Sequence, residues 1–71
     1  MRSIQIERYD ALVNAHTLKL LESLTLKTGD EDIALHATVL SFEKLWHHME
    51  KYGEPQNTFE WLQIEAERTM L

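Results

Sequence analysis

Two glycines and one proline are the only conformational breakers in this chain, and they fall in two short segments. The first is Lys27-Thr28-Gly29-Asp30-Glu31-Asp32 and the second is Tyr52-Gly53-Glu54-Pro55-Gln56-Asn57. The chain therefore divides into two long uninterrupted pieces and one short one. Each glycine ends an apolar stretch of helical period and suits the left-handed position just past a helix terminus, where a Cβ is unfavourable. Residues with capping chemistry follow each glycine. Thr28 with Glu31, and Asn57 with Glu60, have the spacing of a capping box, in which side chains satisfy orphan backbone donors. Asp30, Glu31 and Asp32 place negative charge at the positive end of the second helix dipole. Pro55 is accepted before or at a first turn but not inside a helix, and Ser3 has the chemistry of an N-cap for the first helix.

Periodicity fills in the pieces. Tyr9, Leu12, Val13, His16, Leu20 and Leu24 step by three or four, which predicts a helix over about 5–27. Leu18, Leu21 and Leu26 widen that stripe beyond what one neighbour covers. Ile4 and Ile6 alternate with polar residues, so a short N-terminal strand is the competing reading there. Leu35, Val39, Phe42, Trp46 and Met49 step 4, 3, 4, 3, a seven-residue repeat that predicts a helix over about 31–52 with a packing seam. Ile33, Ala37 and Leu40 form a second row beside it, and Leu45 and Tyr52 a third. Phe59, Leu62, Ala66 and Met70 predict a third helix over about 58–70, with Trp61 and Ile64 on an adjoining face. The expected fold is all-α: a single helical domain over 1–71, built as a long antiparallel helical hairpin plus a shorter third helix.

Length then bears on assembly. At 1.5 Å per residue the first two helices are on the order of 30–35 Å long and the third roughly 20 Å, so the third covers only part of the hairpin. A chain of 71 residues is near the lower limit for a self-sufficient core. The expectation is a homodimer in which two hairpins form a four-helix bundle, with a compact monomeric three-helix bundle as the competitor. The residues expected in the core or dimer seam are Leu12, Leu20, Leu24, Leu35, Val39, Phe42, Trp46 and Met49.

Charge and composition exclude several functions. Seven basic against twelve acidic residues give −5 at pH 7. The bases are scattered singly, and only residues 1–27 are slightly positive, with four basic and three acidic groups. Nucleic-acid affinity comes from clustered Lys and Arg displacing counterions, so nucleic acid is disfavoured as a partner. A helix-turn-helix drawn across Gly29 has the wrong polarity, since Asp30-Glu31-Asp32 would face phosphate where such helices present donors. A dimer that gathers Arg2, Arg8 and Lys19 is the remaining route to a DNA-associated regulator. No apolar run approaches the roughly 18 residues of a membrane span, and the first residues lack the apolar core of a secretory signal. With no cysteine there is no disulfide framework or thiol nucleophile, and the expected location is the cytoplasm.

Catalytic grammar is missing. Ser3, Ser23 and Ser41 have no glycine-flanked elbow, and two glycines cannot form a phosphate-cradling loop; no enzyme, catalytic residue or cofactor is expected. Glu43, His47 and Glu50 are i,i+4 and i,i+3 neighbours, an imidazole with two carboxylates that suits a divalent metal. The favoured reading is the solvated face opposite Phe42, Trp46 and Met49, as on any amphipathic helix, and no metal is expected. His16 and His36 lie near apolar rows, where an imidazole is either a pH sensor or a hydrogen-bonded boundary residue. Trp61, Ile64, Arg68 and Leu71 form a candidate partner-binding patch on the third helix, Trp and Arg being frequent interface anchors. The function expected from the sequence is a small acidic intracellular protein-interaction module (an adaptor, inhibitor or regulator, of a size that suits a phage or plasmid product). The alternatives are the dimeric DNA-associated regulator and a metal-binding bundle built on Glu43, His47 and Glu50.

Overall fold

A computed structural model describes residues 4–70 and contains three helices: α1 (Ile4–Thr28), α2 (Glu31–Tyr52) and α3 (Thr58–Met70). The fold is all-α. Ile4 and Ile6 belong to α1 and not to a strand; no glycine or proline separates them from the helical period that starts at Tyr9. The expected caps at Ser3 and the patch residue Leu71 lie outside the described residues.

Both glycines take positive φ, 72° at Gly29 and 83° at Gly53. The Gly29 N–H donates to the Thr25 carbonyl at 2.8 Å and the Gly53 N–H to the Met49 carbonyl at 3.1 Å. The first cap differs from the expected box. Thr28 is the last residue of α1, and its hydroxyl donates to the Leu24 carbonyl at 2.9 Å. Asp30 caps α2 instead, with extended backbone and a carboxylate that accepts from the Asp32 and Ile33 N–H groups at 2.9 and 3.2 Å. The reason is positional: Gly29 ends α1 directly after Thr28, so the first residue with the extended backbone of an N-cap is Asp30. At α3, the Asn57 side-chain oxygen accepts from the Glu60 N–H at 3.2 Å, and its amide donates to the Glu60 carboxylate at 3.3 Å.

The helices run up, down and up within an envelope of 41 × 19 × 17 Å. α1 and α2 form the antiparallel hairpin. α3 lies parallel to α1 on one side of it: His16 meets Phe59, Ser23 meets Gln63 and Lys27 meets Glu67. Leu12, Leu20 and Leu24 of α1 enter the core with Leu62 and Ala66 of α3. The α2 contribution is unusual in being small in its first half, with Ala34, Ala37, Thr38 and Ser41 buried, and large only later, with Phe42, Leu45 and Met49. The two buried hydroxyls bond within their own helix, Thr38 to the Ala34 carbonyl and Ser41 to the Thr38 carbonyl, each at 2.8 Å. Among the described residues no buried side-chain N or O atom lacks a partner.

The seven-residue row on α2 is divided by this arrangement. Phe42 and Met49 are buried and Trp46 is half-buried, while Leu35 and Val39 stay exposed at 49% and 57%. Small side chains at 34, 37, 38 and 41 allow close helix approach, and turning them inward carries Leu35 and Val39 outward.

Core truncation and turn strain give separable expectations. Leu45→Ala, at a site with no exposure, should cost about 2–5 kcal/mol. Gly53 combines φ 83° with ψ −170°, a region open essentially to glycine alone, so Gly53→Ala should cost about 1–3 kcal/mol although nothing stands within 4 Å of the added Cβ. Chemical denaturation of each variant checks both; an unaltered midpoint for Gly53→Ala would contradict the backbone argument.

Candidate interaction surface

The minor metal candidates do not assemble a site. Glu43, His47 and Glu50 are all exposed, and the contact among them is His47 Nδ1 to Glu50 Oε1 at 3.5 Å. Among the described residues no group of three or more His, Asp or Glu side chains is placed to hold a metal ion. One helix face spreads these three residues over two turns of exposed surface. The serines are also accounted for: Ser41 is buried on the Thr38 carbonyl, and Ser23 accepts from Gln63 at 3.4 Å. His16 is half-buried with its ring 5.9 Å from that of Phe59, and His36 is exposed.

The described residues of the α3 patch are Trp61, Ile64 and Arg68. Trp61 is half-buried and its ring lies 4.9 Å from that of His48, which also meets Tyr52 at 5.1 Å. Arg68 is paired with Glu65 at 3.0 Å. Ile64, 46% exposed, lines a shallow depression of about 230 Å³ with Trp61 and Pro55.

A larger apolar surface lies on the opposite side of the hairpin, away from α3. Tyr9, Val13 and Thr17 of α1 and Leu35, Val39 and Phe42 of α2 line a groove of about 340 Å³. At the turn end of the same helix pair, Leu21 and Leu26 border a second depression. Tyr9 fixes the relation of the two helices at the other end. Its hydroxyl donates to the Phe42 carbonyl at 3.0 Å, and its ring meets Trp46 edge-on at 5.1 Å. Burial pushes the Tyr9 phenol above its ordinary 10.0, and the negative charges of Asp10 and Glu43 push it further up. It is thus held as a neutral donor.

Charge is sorted between the two sides. Arg8 pairs with Glu54, Lys27 with Glu67, and both Lys44 and Arg68 with Glu65. Lys19 sits over the Phe59 ring and Lys51 over Tyr52. All six described bases are engaged in this way, five of them with α3 or the loop before it. Lys27 also holds the Glu67 carboxyl below its usual range by hydrogen bonding to it. Arg8 and Lys19, which a DNA-binding face would need, are therefore turned toward α3. The open groove is bordered by carboxylates: Asp10 lines it, Glu31 and Asp32 lie one turn before Leu35, and Glu43 one turn after Val39. All four are exposed. The described ion pairs use Glu50, Glu54, Glu65 and Glu67, and not Glu31, Asp32 or Glu43.

The repeat at 35, 39, 42 and 46 marked a packing seam without showing whether the seam was internal. A second signal was also present: Ala34, Ala37, Thr38 and Ser41 have the i, i+3, i+4, i+7 spacing of a buried face. No family model, curated protein or solved structure matches this chain.

The Tyr9 geometry predicts a stability signature. Tyr9→Phe should cost about 0.5–1.5 kcal/mol at neutral pH. Because the folded phenol titrates above the unfolded one, the wild-type advantage should be complete below pH 10.0 and shrink as pH rises through the raised value. Denaturant midpoints of the two proteins across neutral and alkaline pH measure it; a gap that does not close would refute the assignment.

Proposed function

We propose that this chain is a small non-catalytic interaction module, an adaptor, inhibitor or regulator whose working surface is the open side of the α1–α2 hairpin. The observation that carries this reading is the pair Leu35 and Val39. Both are about half exposed, lining a groove, while the same half of the helix buries alanine, threonine and serine. A helix selected only for its own core would gain by turning its larger apolar side chains inward, since burial stabilises roughly in proportion to apolar area. Packing of the small α2 face turns them outward, and an external helical surface that covers them recovers the apolar area left in water. The homodimeric four-helix bundle expected from the sequence is one such cover, and a foreign helix is the other.

A direct test compares the wild type with Leu35→Glu/Val39→Glu on the open face and Ile64→Glu on α3. Each is examined for self-association by light scattering, against the 8.4 kDa of one chain, and for binding to amphipathic helical peptides that are cationic, neutral or anionic. The wild type should associate with itself or with at least one peptide class. The double variant should lose that association and the Ile64 variant keep it. All three should stay helical by circular dichroism, since these positions are outside the core. A folded wild type that associates with nothing, or a loss confined to Ile64→Glu, would overturn the reading.

A further inference from the structure

The two sides of the hairpin differ in charge in a way that specifies what the groove receives. On the α3 side every described base has a carboxylate or an aromatic ring as its neighbour. On the open side the apolar strip is bordered by Glu31, Asp32 and Glu43 on α2, with no described Lys or Arg among them. His36, one turn before Val39, is the flanking titratable group that carries no negative charge. A low-dielectric groove edged by one sign of charge concentrates its field on whatever enters.

We infer that this groove seats a cationic amphipathic helix, whose apolar ridge covers Leu35, Val39 and Val13 while flanking Lys or Arg residues meet Glu31, Asp32 and Glu43. This rests on the reading of the open face as the interaction surface and adds the chemistry of its partner. The dimensions fit a helix in a groove. From Tyr9 to Thr17 the floor runs about 12 Å, a little over two turns, so a partner helix fills it with apolar residues at i, i+3 or i+4, and i+7. A second copy of the chain fits less well. Placed face to face it brings the same border of carboxylates against itself, and opposed like charges select against such a pairing. An anionic lipid surface is repelled on the same ground.

The test uses the full chain and two synthetic helical peptides of roughly 18 residues, long enough to form helix. Both carry the same leucine ridge; one has lysine and the other glutamate on the flanks. Labelled peptide anisotropy at about 0.05 M salt should show the lysine peptide bound at least about tenfold more tightly, with the difference shrinking at about 0.5 M as charges are screened. Asp32→Asn/Glu43→Gln should weaken the lysine peptide several-fold and leave the glutamate peptide unaffected or better bound. Leu35→Ser/Val39→Ser should abolish binding of both, with helicity retained. Glu60→Gln, a charge change on α3, should have no effect and so controls for general attraction to an acidic protein. Equal affinities for the two peptides, or a loss with Glu60→Gln as large as with the groove variants, overturns the cationic partner but leaves the face as an interaction surface. A mass of about 17 kDa, twice the 8.4 kDa chain, that Leu35→Ser/Val39→Ser abolishes and the peptides do not compete away, makes a second copy the occupant. A wild type that neither binds nor self-associates removes both this inference and the function it rests on.

Discussion

The inner face of α2 sets the geometry on which the rest of the molecule depends. Ala34, Ala37, Thr38 and Ser41 present little volume, and across from them Leu20 and Leu24 of α1 and Leu62 of α3 are fully buried. Small side chains on one helix let large ones from its neighbours fill the space between the axes, which keeps the interior dense without demanding many big residues. The hydroxyls of Thr38 and Ser41 do not disturb this, because each bonds to a carbonyl of its own helix and leaves no unsatisfied group behind. With that face turned inward, the helical period moves Leu35 and Val39 about a quarter-turn away, toward solvent. The exposed groove is thus a geometric consequence of how the core is packed.

Electrostatics follows the same division. The exposed ion pairs around α3 contribute little to stability individually, since solvent screens them and long side chains lose freedom in forming them. Their larger effect is on the distribution of charge. With the Lys19–Phe59 contact, they engage five of the six described bases with α3 or the loop before it and leave Glu31, Asp32 and Glu43 outside the described ion pairs, so the described charges are unevenly distributed between the two sides. Lys27 with Glu67 and Arg8 with Glu54 also tie the two ends of α1 to α3 and its preceding loop, which positions the short helix on one side of the hairpin and keeps the other side open.

The sites suggested by residue type alone fare differently once placed in space. Glu43, His47 and Glu50 share a helix face as their spacing requires, but coordination needs convergence from more than one element, and one convex helix surface disperses its side chains. The candidate anchor Trp61 rests on His48, a contact between helices that no spacing within α3 could reveal. Tyr9 was legible as one more apolar position of α1. Its bond to the Phe42 carbonyl and its edge-on contact with Trp46 depend on α2 lying alongside at that height.

What the sequence determined by itself is local: three helices, their lengths, their glycine-terminated ends and the antiparallel turn, because capping, propensity and period act over a few residues. Even there the resolution was limited to a residue or two, as the shift of the cap from Thr28 to Asp30 shows. The tertiary structure decided how two stripes on α2 share the core: the small one is buried, and the large one is divided, with Phe42 inside and Leu35 and Val39 outside. The large row at 35, 39, 42 and 46 and the small row at 34, 37, 38 and 41 are both compatible with burial, and each satisfies the helical period. Which one turns inward depends on how closely α1 and α3 approach, a distance set by side chains far away in the chain. The position of the open face, and of the carboxylates that border it, follows from that choice.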